Sequence, residues 1–158
     1  MSSTVYIETS IIGYLASRPS RDLITAANQR LTHDWWNEHR ESFDIFISQF
    51  VIDECKVGDE SAVKERLEMI ADIRQLDVTG AVGNFAEVLV QQVPLPQKAQ
   101  VDALHIAIAT VHGVAYLLTW NCTHRYCVLR SRQFAAPLAT NHQQSVHHKN
   151  SWRYNHVA

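Results

Sequence analysis

The chain has 158 residues, of which 46% are hydrophobic and 19% charged, and a net charge of −2; these values are ordinary for one soluble globular domain. No apolar run approaches the roughly 20 residues that span a membrane, and residues 1–4 lack the basic flank and apolar core of a secretory signal. An integral membrane protein is therefore excluded at this stage, and we expect a cytoplasmic location and no membrane partner.

The first half of the chain alternates strand and helix patterns. An apolar, β-rich run predicts a buried strand over 5–9. Ser20 is a candidate N-cap, and apolar residues recurring every four positions predict a helix that runs to about residue 41. The run FDIFIS predicts a second strand over 43–48, and its last residue, Ser48, can cap a short helix that reaches Cys55.

The second half continues the alternation. Gly58 ends the short helix, and the acidic run at 59–61 begins another. A weaker strand is predicted over 76–79, followed by helices over 81–93 and 98–112; Gly113 ends the second of these. An apolar run then predicts a buried strand over 116–120. Strands alternating with helices predict an α/β layer fold with a mainly parallel sheet, in which ligands bind at the carboxyl ends of the strands.

Four polar side chains fall at the ends of these elements. Glu8 ends the first strand, and Glu54 lies on the short helix after the second. Asp102 lies in the first turn of the helix over 98–112, and Asn121 directly follows the last strand. Because the carboxyl ends of parallel strands meet at one edge of a sheet, we expect these four side chains to converge.

Carboxylates crowded together raise one another's pKa unless a cation is present. Hard oxygen ligands suit Mg²⁺ or Mn²⁺, and such an ion can activate water and stabilise charge on a phosphodiester. The pattern therefore predicts a metal-dependent phosphodiesterase. Taken singly, Glu8, Glu54 and Asp102 also fit solvent-facing acids, Asn121 fits a turn residue, and His105 fits a core histidine more often than a catalyst.

Three segments carry a family resemblance, namely VYIETSIIGYL, SQFVIDECKVGD and DALHIAIATVHGVAYLLTWNCTH. Together, and in this order, they resemble the PIN-domain family of VapC-like toxin ribonucleases over residues 4–124. The resemblance implies a compact three-layer α/β/α sandwich around a parallel sheet. It also implies Mg²⁺- or Mn²⁺-dependent cleavage of RNA, homodimers, and neutralisation by a small antitoxin protein.

The resemblance assigns roles to particular residues. The first three family acids fall on Glu8, Glu54 and Asp102, which are the implied metal ligands, and the fourth acidic position falls on Asn121. Ser10 and Thr119 match supporting polar positions, and we group His105 with them. Glu8 stands where the family usually has Asp, and Asn121 supplies a neutral oxygen, so both changes are expected to weaken metal affinity.

The end of the chain departs from this pattern, so we divide it into a PIN-like domain over 1–124 and an atypical basic tail over 125–158. Residues 1–124 carry nine Lys and Arg against sixteen Asp and Glu, whereas 125–158 carry five Lys and Arg and no acid. We expect irregular structure in this His-rich tail. Its composition suggests either an out-of-frame ending or an RNA-binding segment.

The cysteines Cys55, Cys122 and Cys127 are odd in number and irregularly spaced, so we interpret them as reduced thiols. Cys122, His124 and Cys127 lack an evident fourth ligand for zinc. Two functional alternatives to a nuclease also stand at this stage. One is a catalytically weak PIN-like module that only binds RNA or a protein partner. The other is a phosphoacceptor receiver domain, which needs an Asp after strand three and a Lys after strand five, neither of which is evident.

Overall fold

A computed structural model describes residues 2–91 and 101–121 with their side chains, and residues 92, 98–100 and 127–130 as backbone. The strands are β1 (Ser3–Ile7), β2 (Phe43–Ser48), β3 (Arg74–Leu76), β4 (Tyr116–Thr119) and β5 (Cys127–Arg130). The helices are α1 (Thr9–Ala16), α2 (Leu23–Glu38), α3 (Gln49–Cys55), α4 (Glu60–Ile70), α5 (Gly80–Gln92) and α6 (Lys98–Val111). None of the helices in these described ranges is long and apolar enough to cross a bilayer.

The five strands form one sheet in the order β3-β2-β1-β4-β5. The first four are parallel, and β5 runs antiparallel to β4. From β1 the chain continues to β2 on one side, whereas β4 pairs with β1 on the other side. The strand order therefore reverses between β1 and β4, and in sheets of this kind the crevice outside that reversal is where ligands bind. The predicted α/β fold with a mainly parallel sheet is confirmed.

The core lies on both faces of the central strand. Val5, Tyr6 and Ile7 are consecutive residues of β1 and are at most 3% exposed. Since successive side chains of a strand point to opposite faces, helices must cover both faces. Buried residues of α3, α4, α5 and α6 join this core, among them Val51, Ile70, Val82 and Ile108.

The first prediction that needs correction is the strand over 5–9. The strand ends at Ile7, and Thr9–Ala16 form α1, which the sequence analysis did not predict. The segment begins with Thr, Ser and two Ile residues, all weaker helix formers than Ala or Leu. Tertiary packing outweighs that propensity, because Ile11, Ile12 and Leu15 are all buried.

The start of α2 also differs from its prediction. The N-cap is Asp22, whose Oδ1 accepts a hydrogen bond from the Thr25 backbone N–H at 2.8 Å. Ser20 lies two residues before this N-cap, and its Oγ accepts a hydrogen bond from the Asp22 N–H at 3.1 Å. The helix ends at Glu38 rather than near residue 41, because a turn of 3-10 helix occupies Arg40–Ser42.

Except for the third strand, the other elements match the predicted ones closely. The strand over 43–48 and the cap at Ser48, which accepts from the Val51 N–H, are confirmed. Gly58 and Gly113 follow the helix ends with φ of 114° and 64°, a region that glycine enters without steric cost. The third strand covers Arg74–Leu76 instead of 76–79.

The strand β5 lies inside the segment for which irregular structure was expected. Its four residues pair with β4, Cys127 opposite Thr119 and Arg130 opposite Tyr116. The expectation therefore fails for these four residues. Residues 122–126 and 131–158 lie outside the described part of the chain, so the proposed boundary at 124 and the out-of-frame ending stay predictions.

Candidate metal centre

The switch point of the sheet brings the four predicted site residues together. Glu8 directly follows β1 and Asn121 follows β4, and the Glu8 backbone N–H donates to the Leu118 carbonyl at 3.0 Å. Asn121 Nδ2 lies 3.5 Å from Glu8 Oε1 and 3.3 Å from Asp102 Oδ1. Glu54 reaches the same place from α3, since His105 Nε2 lies 3.1 Å from Glu54 Oε2 and 3.8 Å from Glu8 Oε1.

Glu8 is held in a buried position by two hydroxyl groups. It is 3% exposed, and its Oε2 accepts hydrogen bonds from Ser10 Oγ and from Thr119 Oγ1, the latter at 2.8 Å. Each hydroxyl oxygen accepts a backbone N–H in turn, Ser10 from Trp120 and Thr119 from Asn121. Because a carboxylate oxygen can only accept, the hydroxyl hydrogens point to Glu8. Ser10 and Thr119 thus contact the first acid directly.

Glu54 is oriented by one contact from α1 and one from α6. Its Oε2 accepts a hydrogen bond from Thr9 Oγ1 and lies 3.1 Å from His105 Nε2. Burial raises the pKa of Glu54, but the hydrogen bonds from His105 and Thr9 outweigh it and leave the pKa below its ordinary value. Thr9 was not singled out from the sequence; recognising α1 would have placed it in the first turn beside Glu8.

Asp102 is shifted in the opposite direction. It is half-buried and lies in the second turn of α6, not in the first turn where it was predicted, because the helix begins at Lys98. Burial raises its pKa and the negative charge of Glu8 raises it further, while the electrostatic interaction with His105 and the hydrogen bond from Asn121 only partly oppose this rise. A neighbouring cation would therefore stabilise the ionised form of Asp102.

His105 lies at the bottom of the site and is 1% exposed. Its Nδ1 lies 2.9 Å from Tyr6 Oη, which lies 2.8 Å from Ser48 Oγ. Both partners are fully buried. Neither Tyr6 nor Ser48 was predicted from the sequence to lie at the site. The available signal was the two-residue period of a strand, which puts Tyr6 on the same side of the chain as Glu8.

The donor set fits a hard divalent cation. One ligand atom each from Glu8, Glu54 and His105 lies within 4.8 Å of the others, and Asp102 adjoins them through Asn121. Among the described residues, the hydrogen bonds to Glu54 all fall on Oε2, so its Oε1 remains available. An arrangement of carboxylate oxygens with ordered outer partners is what Mg²⁺ or Mn²⁺ requires.

The comparisons with known proteins support the fold. No family model and no curated protein matches the chain. Among solved structures, the chain is similar to VapC20 of Mycobacterium tuberculosis, described as a sarcin–ricin loop cleaving toxin. The two chains are 18% identical, with a TM-score of 0.57, over 85% of this chain and 95% of that one. At this identity the similarity shows only that the two proteins share a fold, which is PIN-like.

Proposed function

We propose that the protein is a metal-dependent endoribonuclease that acts as the toxin of a type II toxin–antitoxin pair. The observation that carries the proposal is the meeting of Glu8, Glu54 and Asp102 at the switch point of the parallel sheet. The fold shared with VapC20, which cleaves the sarcin–ricin loop, supports RNA as the substrate class. The antitoxin, a homodimer and a cytoplasmic location belong to the same proposal.

The residues divide the work at the site. Glu8 and Glu54 would bind the ion through oxygens whose orientation is set by neighbouring donors, and Asp102 would complete the carboxylate set. When bound, Mg²⁺ or Mn²⁺ would supply an activated water and stabilise charge on the phosphodiester. Asn121 donates to both Glu8 and Asp102, so it holds two like charges close together without adding a third.

The surface next to the site offers room for a nucleic-acid strand. A cleft of about 500 Å³ begins at Ser10, next to Glu8, and follows α1 to the loop before α2. Tyr14 and the exposed Arg18 line it. An aromatic ring and a guanidinium are the side chains on which bases and phosphates of single-stranded RNA bind.

The decisive variant is Asp102→Asn, with Asp72→Asn as its matched control. Asp72 is an exposed acid in the turn after α4. We expect Asp102→Asn to eliminate Mg²⁺-dependent cleavage of both a sarcin–ricin hairpin and a single-stranded RNA, while its circular dichroism stays that of the parent. Asp72→Asn should cleave normally, and chelation should stop the parent protein. Full cleavage by Asp102→Asn would refute the assignment.

One feature favours a second function, a catalytically weak module that only binds RNA or a protein. The neutral Asn121 stands at the fourth acidic position, which lowers the negative charge available to hold an ion. Calorimetry separates the two functions: the nuclease predicts Mg²⁺ or Mn²⁺ binding that Asp102→Asn removes. Binding of RNA with no ion bound and no cleavage would favour the module.

The tail needs its own test, since a basic RNA-binding segment and an out-of-frame ending make different predictions. Truncation should begin at residue 131, because β5 belongs to the sheet. An RNA-binding tail predicts that the truncated protein binds RNA more weakly and with a smaller salt dependence. An out-of-frame ending predicts unchanged RNA binding, and a family-like ending in another frame of the coding DNA.

A further inference from the structure

We propose that Tyr6 and Ser48 fix the tautomer of His105, so that its Nε2 carries a hydrogen and serves Glu54 as a donor rather than serving the ion as a ligand. The consequence for a metal centre is a donor set made of oxygen alone. This consequence rests on the proposed function, whereas the tautomer itself follows from the hydrogen bonds of the protein.

The direction of the chain of hydrogen bonds is set at its first member. The Val51 N–H can only donate, and its partner is Ser48 Oγ at 3.4 Å. Ser48 is fully buried, and within the described residues its only other hydrogen-bond partner is Tyr6 Oη at 2.8 Å. The Ser48 hydrogen therefore goes to Tyr6, since a buried hydroxyl hydrogen without an acceptor is costly.

The rest of the chain follows from that direction. With its oxygen accepting from Ser48, the Tyr6 hydroxyl donates to His105 Nδ1 at 2.9 Å. Nδ1 must then be the nitrogen without a hydrogen, and in a neutral imidazole the hydrogen is on Nε2. Nε2 faces Glu54 Oε2 at 3.1 Å.

The opposite end of the chain requires the same tautomer. The ionised Glu54 carboxylate only accepts hydrogen bonds, so it needs a hydrogen on Nε2. The reverse direction would put the hydrogen on Nδ1 and have Tyr6 donate to Ser48. In that case the Ser48 hydrogen would have no acceptor among the described residues, and His105 and Glu54 would face each other as two acceptors.

This tautomer determines which class of cation fits the site. A His105 Nε2 with a free lone pair would add an imidazole to the carboxylates, and imidazole favours zinc-like ions. With Nε2 occupied by its hydrogen, Glu8, Glu54 and Asp102 offer only oxygens, the ligands preferred by Mg²⁺ and Mn²⁺. Tyr6 and Ser48 are thus positioning residues that act through His105.

The test uses the full-length protein labelled with ¹⁵N, and the variant Tyr6→Phe. His105→Gln identifies the His105 signals among the nine histidines. Long-range ¹H–¹⁵N spectra at neutral pH, without metal, distinguish a ring nitrogen with a hydrogen from one without. We expect the wild-type protein to show the hydrogen on Nε2 and Tyr6→Phe to show a mixture of tautomers. A hydrogen on Nδ1 in the wild-type protein would overturn the proposal.

Metal titration supplies the second readout. By calorimetry we expect Tyr6→Phe to weaken Mg²⁺ binding roughly 10-fold, the low end of the effect of losing an outer partner of a metal ligand. Zn²⁺ affinity should be preserved or improved, so the preference for Zn²⁺ over Mg²⁺ should rise by about the same factor or more. Tyr116→Phe, a tyrosine of β4 outside these hydrogen bonds, is the matched control and should behave as wild type.

Two further variants keep the test decisive if Tyr6→Phe is poorly folded. His105→Gln can still direct an amide N–H at Glu54 but has no ring nitrogen, so Mg²⁺ binding should fall much less than 10-fold and Zn²⁺ binding should not improve. In the double variant Tyr6→Phe/His105→Gln, any gain in Zn²⁺ affinity caused by Tyr6→Phe should disappear. A gain that persists without His105 would overturn the proposal that the His105 tautomer determines which cation binds. A wild-type protein that binds no Mg²⁺ or Mn²⁺ would refute the proposed function, while the spectra would still decide the tautomer.

Discussion

Thr119→Val isolates the contribution of one hydroxyl group to the candidate metal centre. Thr119 is 8% exposed at the end of β4, and its Oγ1 donates to Glu8 Oε2 at 2.8 Å. Valine keeps the branched shape and suits a strand, so the main change is the loss of the hydroxyl. The carboxylate of Glu8 is left with Ser10 as its hydroxyl donor and remains buried at 3% exposure.

The size of the effect follows from these contacts. A hydrogen bond to a charged group contributes about 1.5–3 kcal/mol. The backbone N–H of Asn121 also loses its acceptor, but Asn121 is exposed and water can replace it. We therefore expect Thr119→Val to lower the free energy of unfolding by about 2 kcal/mol. For a chain of this length, that corresponds to a fall in Tm of roughly 4–8 °C.

The assay is urea and thermal unfolding in the presence of a chelator, with Thr110→Val as the matched control. Thr110 Oγ1 in α6 is buried and has no hydrogen-bond partner in the described part of the chain. Valine and threonine have similar helix propensities, so removing this hydroxyl should leave stability unchanged or raise it by up to about 1 kcal/mol. The same Thr→Val change is thus expected to destabilise the protein at position 119 but not at position 110.

Two outcomes would refute the stabilising role of the Thr119 hydroxyl. If Thr119→Val unfolds within about 0.5 kcal/mol of the parent, the usual range for an uninvolved surface site, then the hydroxyl does not stabilise the Glu8 carboxylate. If Thr110→Val is the more destabilised of the two, the hydrogen-bond assignments are wrong. A second readout is available, because loss of an outer partner should also weaken Mg²⁺ binding about 10- to 100-fold.

Three further predictions concern the titratable groups. Mg²⁺ at a hundred times its Kd should stabilise the parent protein by about 2.7 kcal/mol but should hardly stabilise the Asp102→Asn variant. Without metal, Asp102→Asn should have an equal or higher Tm at neutral pH, because burial and Glu8 raise the pKa of Asp102 and so disfavour its ionised form in the folded protein. Despite burial, hydrogen bonds with His105 and Thr9 lower the pKa of Glu54 from its ordinary value of 4.5. Its contribution to the free energy of unfolding is therefore present above pH 4.5 and is lost as the pH falls through the lower pKa of the folded state. Without metal, Glu54→Gln should reduce the loss of stability at acidic pH, and an unchanged loss would contradict the prediction. Burial raises the pKa of Cys55 to about 11, so at pH 8 only about one thiol in a thousand is ionised. In a variant with Cys122 and Cys127 replaced by Ser, alkylation of Cys55 should occur only as fast as the protein unfolds globally, and rapid alkylation of the native protein would refute this prediction.

The sequence alone predicted the elements whose patterns are strong locally. FDIFIS is rich in the aromatic and β-branched residues that favour strands and matches β2. The apolar run before Gly113 matches α6, whose end Gly113 marks in the structure. The four residues of the site were also predicted to meet. That inference succeeded because the carboxyl ends of parallel strands share one edge of the sheet, so a rule about topology places residues that are far apart in sequence.

Only the tertiary structure decided how those residues are held. The helix α1 forms in spite of its β-branched start because Ile11 and Ile12 are buried against the core. The partners of the site join positions 99 residues apart for Tyr6 and His105, and 111 apart for Glu8 and Thr119. No local pattern records such pairs, since the period of a strand or helix specifies which face a side chain occupies but not which distant side chain it meets there. The direction of a hydrogen bond, and with it the tautomer of His105, depends on every partner being in place at once.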